Sequence, residues 1–450
     1  MDVTERTATA ARTLGAFAAG LTFDRIPASA VERAKDCILD TVAVATYGAR
    51  FPWSQAVIAY AERYGQGGKC SVLGRPELRV TAPAAALANG SLAHAFEQDS
   101  LRYPGAGVHP GATLLPPGLA VAQEEGADGK ALLTAFVAGC EVMFRIGLAS
   151  RHTSEALGFH APGLTGPYGA AMVAGKLLKL DAGQMASALG IAGSLGGGLL
   201  AFTKSQTGAA VKRMHMGRAS EAGVLAARLA QSGFAGPETI LEGKYGFLET
   251  YCREAAPVRL TEALGERWET EAICLKRYPC HITSHTPVQS VRELMAEHGF
   301  KGSDVASITI AGGEKLLSHH NIPAPRDIMQ AQYSTPFCTA LALYRDPIDP
   351  ASWDDSALAD PAIRAACSLI SMTVAKPVLA STWATRIEVK LKDGRSFTRE
   401  ATTYQGMPTN PLPRAGLKEK FMLLAGGNAG ALWNKLEKLE SAPDLALQGL

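Results

Sequence analysis

The chain has 450 residues, 47% of them hydrophobic and 19% charged, a globular composition with enough apolar surface for two or three domains. Lys plus Arg number 44 against 42 for Asp plus Glu, and a net charge of +2 offers no field to hold nucleic acid or an anionic membrane. Affinity for an acidic ligand must therefore come from a local cluster. The eight cysteines (37, 70, 140, 252, 274, 280, 338, 367) are scattered without a C-x-x-C pair, as expected of reduced, buried thiols in a cytoplasmic protein. No basic region followed by an apolar run opens the chain, so no signal peptide is expected. No apolar run is read as long enough to span a bilayer.

The first half reads as helix after helix. Pro27 leads into AVERAKDCILDTVAVATYG, with apolar residues at helical spacing and Gly48 at the stop. The same spacing predicts helices over AHAFEQDS, GKALLTAFVAGCEVMFRIGLAS, TGPYGAAMVAGKLLKL, AGQMASALGIAGSL and GRASEAGVLAARLAQSG. Their many Ala and Gly residues let backbones approach closely, which predicts a dense helical bundle.

Near residue 270 the texture changes. VASITIAGG alternates like a strand, and RIEVKLKDGRSFTREATT gives two alternating runs joined at Lys392-Asp393-Gly394-Arg395, a hairpin signal. Helical stretches, SHTPVQSVRELMAEHGF and STPFCTALALYRD, lie between them. The expected class is mainly α: an all-helical domain over 1–269, a smaller α+β domain over 270–404, and helices over 405–450 that return to the first domain.

The glycine-rich GSLGGGL, residues 193–199, has no Gly-Lys-Ser/Thr after it and no strand before it, so it reads as a tight helix junction and not a phosphate loop. No G-x-S-x-G or Rossmann fingerprint occurs. Six of the ten histidines lie in unusual local sequences rich in Gly, Pro or basic residues: His94 and His109 in NGSLAHAFEQDSLRYPGAGVHPGA, His160 in LGFHAPGLTG, His215 in KRMHMG, His281 and His285 in KRYPCHITSH. Such junctions place side chains in clefts. His281 and His285 have the i, i+4 spacing of zinc ligands, but Ile282, Thr283 and Ser284 stand between them without an HExxH glutamate, and no metal is expected. Two basic pairs, Lys212-Arg213 and Lys276-Arg277, each closely precede a histidine amid small or apolar residues. A pocket for two or three carboxylates needs this kind of charge.

Taken in order, NGSLAHAFEQD, VHPGA, GFHAPGLTGPYGAA, KRMHMGRASEAG, LKRYPCHITSH and QYSTPF resemble the family of 2-methylcitrate dehydratase and cis-aconitate decarboxylase, MmgE/PrpD, which also includes iminodisuccinate epimerase. The resemblance covers nearly the whole chain. It implies a large helical domain built from both ends of the chain, an α+β lid, a homodimer, and an active site between the domains with no metal or organic cofactor. His109, His160, Lys212 and His281 match the family's motif positions and are the expected catalytic residues. The stretch Glu97-Gln98-Asp99-Ser100-Leu101 departs from the usual Asp-Phe-Asp-Asp-Thr, with a Glu as its first acid.

The expected substrate is a small di- or tricarboxylic acid, its carboxylates held by Arg213, Lys276 and Arg277 beside Lys212, with Glu97, Asp99, His285 and Ser334 also lining the site. A histidine would move the proton next to a carboxylate while Lys212 stabilises the charge that builds there. The favoured reaction is a lyase's, dehydration or decarboxylation. An epimerase of a dicarboxylate such as iminodisuccinate is the alternative, and a non-catalytic carboxylate-binding dimer is a third reading, disfavoured by so many clustered titratable groups.

Overall fold

A computed structural model describes residues 8–205 and 209–445. The opening residues 1–7, which bear on the signal-peptide expectation, lie outside this range. The fold is mainly α with a smaller α+β portion. Its largest core is built from the helices Ala28–Gly48, Ala82–Ala93, Pro110–Glu125, Gly129–Ala149, Ala161–Leu177, Ala182–Gly193 and Val211–Gln231.

Small residues set the spacing of this bundle, as their abundance predicts. A Cβ on Gly217 would stand 2.2 Å from the Leu87 carbonyl oxygen, and one on Gly90 would stand 2.7 Å from Gly217 Cα. The Ala82–Ala93 and Val211–Gln231 helices therefore cross in backbone contact, which a single methyl group would force apart. That crossing sets the start of the second helix, carrying Lys212 and Arg213, beside the loop that leaves the first.

The segment AHAFEQDS departs from expectation. The helix ends at Ala93, and residues 94–100 form a turn in which Glu97 takes a left-handed φ of 56°. His94, Glu97, Gln98, Asp99 and Ser100 are all 0–1% exposed. A helix would spread these polar groups around its circumference, whereas the turn gathers them where partners wait.

The expectation about apolar length also needs correction. The helix Gly129–Ala149 is long and apolar enough to cross a membrane. It lies instead inside the bundle, packed on its neighbours all round, as a hydrophobic core helix does.

Past residue 270 lies a four-stranded sheet, ordered Ile370–Val374, Val305–Gly312, Thr385–Leu391, Ser396–Ala401. The first pair is parallel and the others antiparallel. The hairpin turns at Lys392–Arg395, where Gly394 has φ 91°. The helix His285–His298 packs on the hairpin strands. A two-residue ribbon, Ile273–Cys274 against Leu101–Arg102, ties this region to the first half. The C-terminal helices Arg414–Ala425 and Ala429–Glu437 lie on the Ala28–Gly48 helix.

Candidate active site

Three helices begin at the same buried place. His109 caps Pro110–Glu125, His160 caps Ala161–Leu177, and Lys212 stands in the first turn of Val211–Gln231. Pro110 and Pro162 fit these first turns because proline has no N–H to lose and a φ already suited to the helix. His281 precedes a short turn, Ile282–Ser284, that runs into His285–His298. Helix N-termini present unpaired N–H groups and a positive dipole end, so their convergence favours an anion and a neutral imidazole.

Asp99 organises the first wall. Its Oδ2 lies 2.9 Å from His94 Nδ1 and 2.8 Å from His109 Nδ1, and the two rings meet edge to face at 4.8 Å. Burial alone would raise the Asp99 carboxyl, but His94 and His109 hold it well below the usual carboxylate range. An ionised carboxylate only accepts, so both rings carry a proton on Nδ1 and turn Nε2 away. Burial, with help from the Lys212 charge, lowers His94 to about 3 and outweighs Asp99, so its ring is neutral. The ligand atoms of His94, Asp99 and His109 lie within 4.8 Å of one another, close enough for a cation, although their contacts are those of an acid between two N–H donors.

His160 continues this wall, its ring 6.2 Å from His94 and its Nδ1 3.0 Å from His215 Nδ1. One nitrogen of that pair donates and the other accepts, which couples the tautomers of the two rings. Burial and nearby Lys212 hold His160 well below its ordinary value and take His215 to about 4. The glycine run makes room for the pair: at Gly198, with φ 125°, a Cβ would sit 3.0 Å from His215 Nδ1. Gly197 and Gly198 pair with the backbone of Gly163 and His160, the junction role expected of the run.

Glu97 organises the second wall. Its Oε1 accepts from Lys212 and Arg213, and its Oε2 lies 3.1 Å from Lys276 Nζ. Burial pushes this carboxyl up, but Lys212, Lys276 and Arg213 together hold it well below the usual range. Burial lowers Lys212 to about 8 against the pull of Glu97, assisted by its cationic neighbours. Tyr333 faces Lys212, its ring 5.2 Å from Nζ, and burial with the Glu97 charge keeps its phenol protonated. His281 lies 5.2 Å from the Tyr333 ring and stacks on His320 at 4.0 Å. Burial and the His320 and Lys276 charges hold His281 well below its ordinary value.

Two matches span most of the sequence. Residues 12–259 match the MmgE/PrpD N-terminal domain, and residues 278–439 match the MmgE/PrpD C-terminal domain. The chain belongs to the MmgE/PrpD family. It is 28% identical over 433 residues to human cis-aconitate decarboxylase, covering 93% of this chain and 88% of that one. It is 28% identical over 437 residues to cis-aconitate decarboxylase of Aspergillus terreus, covering 91% and 88%, and 26% identical over 448 residues to that of Mus musculus, covering 95% and 90%.

Within this MmgE/PrpD chain the structure gathers His109, His160, Lys212, Arg213, Lys276, His281, Glu97 and Asp99 around one buried centre. Three residues named from sequence stand apart. Arg277 pairs with Gln405 and lines a separate surface cleft with Gln289, Arg292 and Glu293. Ser334 caps its own helix, accepting from Phe337 N–H at 3.0 Å, and donates to the Ile322 carbonyl. His285 lies behind the loop, its Nε2 accepting from Tyr278 N–H at 3.3 Å and its ring against Tyr404.

Sequence reading gave no site role to several residues the geometry brings in. Tyr333 sits inside the noted QYSTPF motif, next to the residue chosen from it. His94 stands five residues before Asp99, and His215 three after Lys212, both within noted motifs. Gln332, whose amide donates to Phe96 O at 2.9 Å and Pro279 O at 3.0 Å, staples the two walls together. It opens the same QYSTPF motif, but only Ser334 was chosen from it.

Proposed function

We propose that this chain is a cofactor-independent lyase that moves a proton next to a carboxylate of a small di- or tricarboxylic acid. The observation that carries this reading is one buried cluster in which Lys212, Arg213 and Lys276 stand beside neutral histidines. The cations receive substrate carboxylates, and low local polarity strengthens each contact. The family relatives, named as cis-aconitate decarboxylases, support the lyase class.

In a decarboxylation, the carbon–carbon bond to one carboxylate breaks, carbon dioxide leaves, and the electron pair stays on carbon until an acid protonates it. In a dehydration, a base takes the proton beside the carboxylate and hydroxide leaves with a proton from an acid. Either needs a proton donor or acceptor at carbon and a cation facing the carboxylate on which charge builds. His109 and His160 on one wall, His281 on the other, and Lys212 between them fill these roles. Residues 270–404 serve as the lid, and the homodimer and cytoplasmic location implied by the resemblance belong to the same proposal.

Imidazoles on opposite walls would also suit an epimerase, which removes a proton from one face and returns one to the other. Incubating the protein with di- and tricarboxylates in deuterated water separates the readings. A lyase releases carbon dioxide or forms an alkene, and an epimerase incorporates deuterium without elimination. Neither outcome with any acid in the panel would overturn the enzyme reading.

A further inference from the structure

Two neighbours hold the His281 ring. Thr283 takes one edge: its hydroxyl oxygen lies 3.0 Å and its backbone nitrogen 3.5 Å from His281 Nδ1. His320 takes the face, its ring stacked on His281 at 4.0 Å with 23° between the planes. His281 Nε2 makes no hydrogen bond among the described residues, so it is the nitrogen left for a ligand. The face contact matters because the torsion that turns an imidazole about its bond to Cβ has broad minima. A bond at one nitrogen leaves the ring free to rock about that edge, and a flat neighbour stops it.

His320 is itself fixed. Its Nδ1 lies 3.1 Å from the Tyr333 carbonyl oxygen, which only accepts, so Nδ1 carries a proton and the bond sets the rotation of the ring. Burial lowers His320 to about 4, so the ring is neutral and its Nε2 offers a lone pair alone. That Nε2 is buried without a partner among the described residues. A phenylalanine would fill the same space without that cost, so packing does not account for a histidine here. What a phenylalanine lacks is the N–H that keeps the ring from turning. The helix that ends in His320, Glu314–His320, is tied to the first half of the chain by Lys315, 2.8 Å from Glu155, five residues before His160.

We propose that His320 is a positioning residue, whose pinned ring holds the His281 imidazole at the angle at which its Nε2 meets the substrate. This rests on the proposed function, in which His281 exchanges a proton with the bound acid. His320 touches no reacting atom and acts through its neighbour. It also joins two parts of the site, because the carbonyl that pins it belongs to Tyr333, whose ring faces Lys212. A shift of the Tyr333 segment therefore reaches His281 through His320.

Steady-state kinetics on the full chain, with cis-aconitate first and then each further acid of the deuterated-water panel, give one test. His320→Ala should lower kcat by roughly tenfold or more and leave KM within about twofold, the split expected when orientation and not binding is lost. His320→Phe restores a flat face and should recover much of the loss. His320→Asn can still donate to the Tyr333 carbonyl but offers no ring, and should behave as His320→Ala. Near-normal kcat in folded His320→Ala, or a His320→Phe no better than His320→Ala, would overturn the inference. If His320→Ala melts below the assay temperature, the contrast between the Phe and Asn variants decides. A second measurement needs no substrate: long-range proton–nitrogen spectra of the chain labelled in its histidine rings, with His281 identified by its loss in His281→Gln. The His281 nitrogens should show the separated shifts of one tautomer in wild type and collapse toward averaged values in His320→Ala. Separated shifts retained in His320→Ala would also sink it. If wild type turns over no acid of the panel, the proposed function falls, and the nitrogen shifts alone decide whether His320 holds the ring.

Discussion

Lys420 and Asp40, 380 residues apart, form a buried ion pair at 2.5 Å. The same ammonium donates to the Gln98 carbonyl at 3.1 Å and the Lys276 carbonyl at 2.7 Å. One lysine of the C-terminal helix thus pins the acidic turn and the segment bearing Lys276, the two supports of the Glu97 cluster. Lys420→Met should leave Asp40 buried and unpaired and cost about 3–5 kcal/mol. Asp40→Asn with Lys420→Met should cost less than the single change. Urea unfolding of both variants checks this, and a double variant no more stable than the single would refute the pairing.

In the proposed function Lys212 neutralises charge developing on a substrate carboxylate. Lys212→Ala should lower turnover by roughly a hundredfold or more. Arg213 and Lys276 still pair Glu97 in that variant, so melting should fall by only about 5 °C or less. Lys212→Arg should rescue poorly, because a planar fork cannot replace a compact ammonium. Lys244, exposed in its loop against the Tyr245 ring, is the control, and Lys244→Ala should behave as wild type. Near-normal kinetics for Lys212→Ala would remove the residue from the catalytic set.

The same lysine sets an alkaline limit. With Lys212 lowered to about 8, kcat/KM should fall as pH rises through that value and the cation is lost. Stability should move the other way. An unfolded lysine titrates near 10.4, so between pH 8 and 10 the unfolded chain binds more protons than the folded one, and this group's contribution to stability rises with pH. Lys212→Met should abolish both trends. A pH–rate profile flat to pH 10 in wild type would contradict the assignment.

Gly198 should act on the histidine wall without touching the core. Gly198→Ala meets both a left-handed φ and the His215 ring, so the His160–His215 pair must shift. Turnover should drop by roughly tenfold or more, since small misplacements of a proton-transfer group are costly. Melting should fall far less than for a core cavity. Full activity in Gly198→Ala would show that the pair tolerates displacement.

Local pattern explains what could be read from sequence. The Gly129–Ala149 helix and the hairpin at Lys392–Arg395 follow from periodicity and turn chemistry within a few residues. Proline or glycine beside His109, His160 and His281 marked the helix starts. Distinguishing neighbours was harder. Lys276 and Arg277 leave the backbone in different directions, one toward Glu97 and the other toward Gln405, and adjacency in sequence hides this. Tyr333 and Ser334 differ likewise, one facing Lys212 and the other capping a helix. Lys420 owes its role to a partner hundreds of residues away, beyond any local signal.

The Gly129–Ala149 helix has one more consequence, for the order of synthesis. Its first residue meets the far end of the chain: Gly129 N–H donates to the Ala442 carbonyl at 2.9 Å, and a Cβ there would overlap the Leu439 carbonyl oxygen. That cover is made roughly 310 residues later, which at about 5–20 residues per second means a delay of some 15–60 s. Through that interval, part of a segment apolar enough for a bilayer waits near the ribosome without its final neighbour. Slow translation or loss of the last helix should therefore show first as aggregation and chaperone association of nascent chains, before any loss in the specific activity of molecules that finish folding.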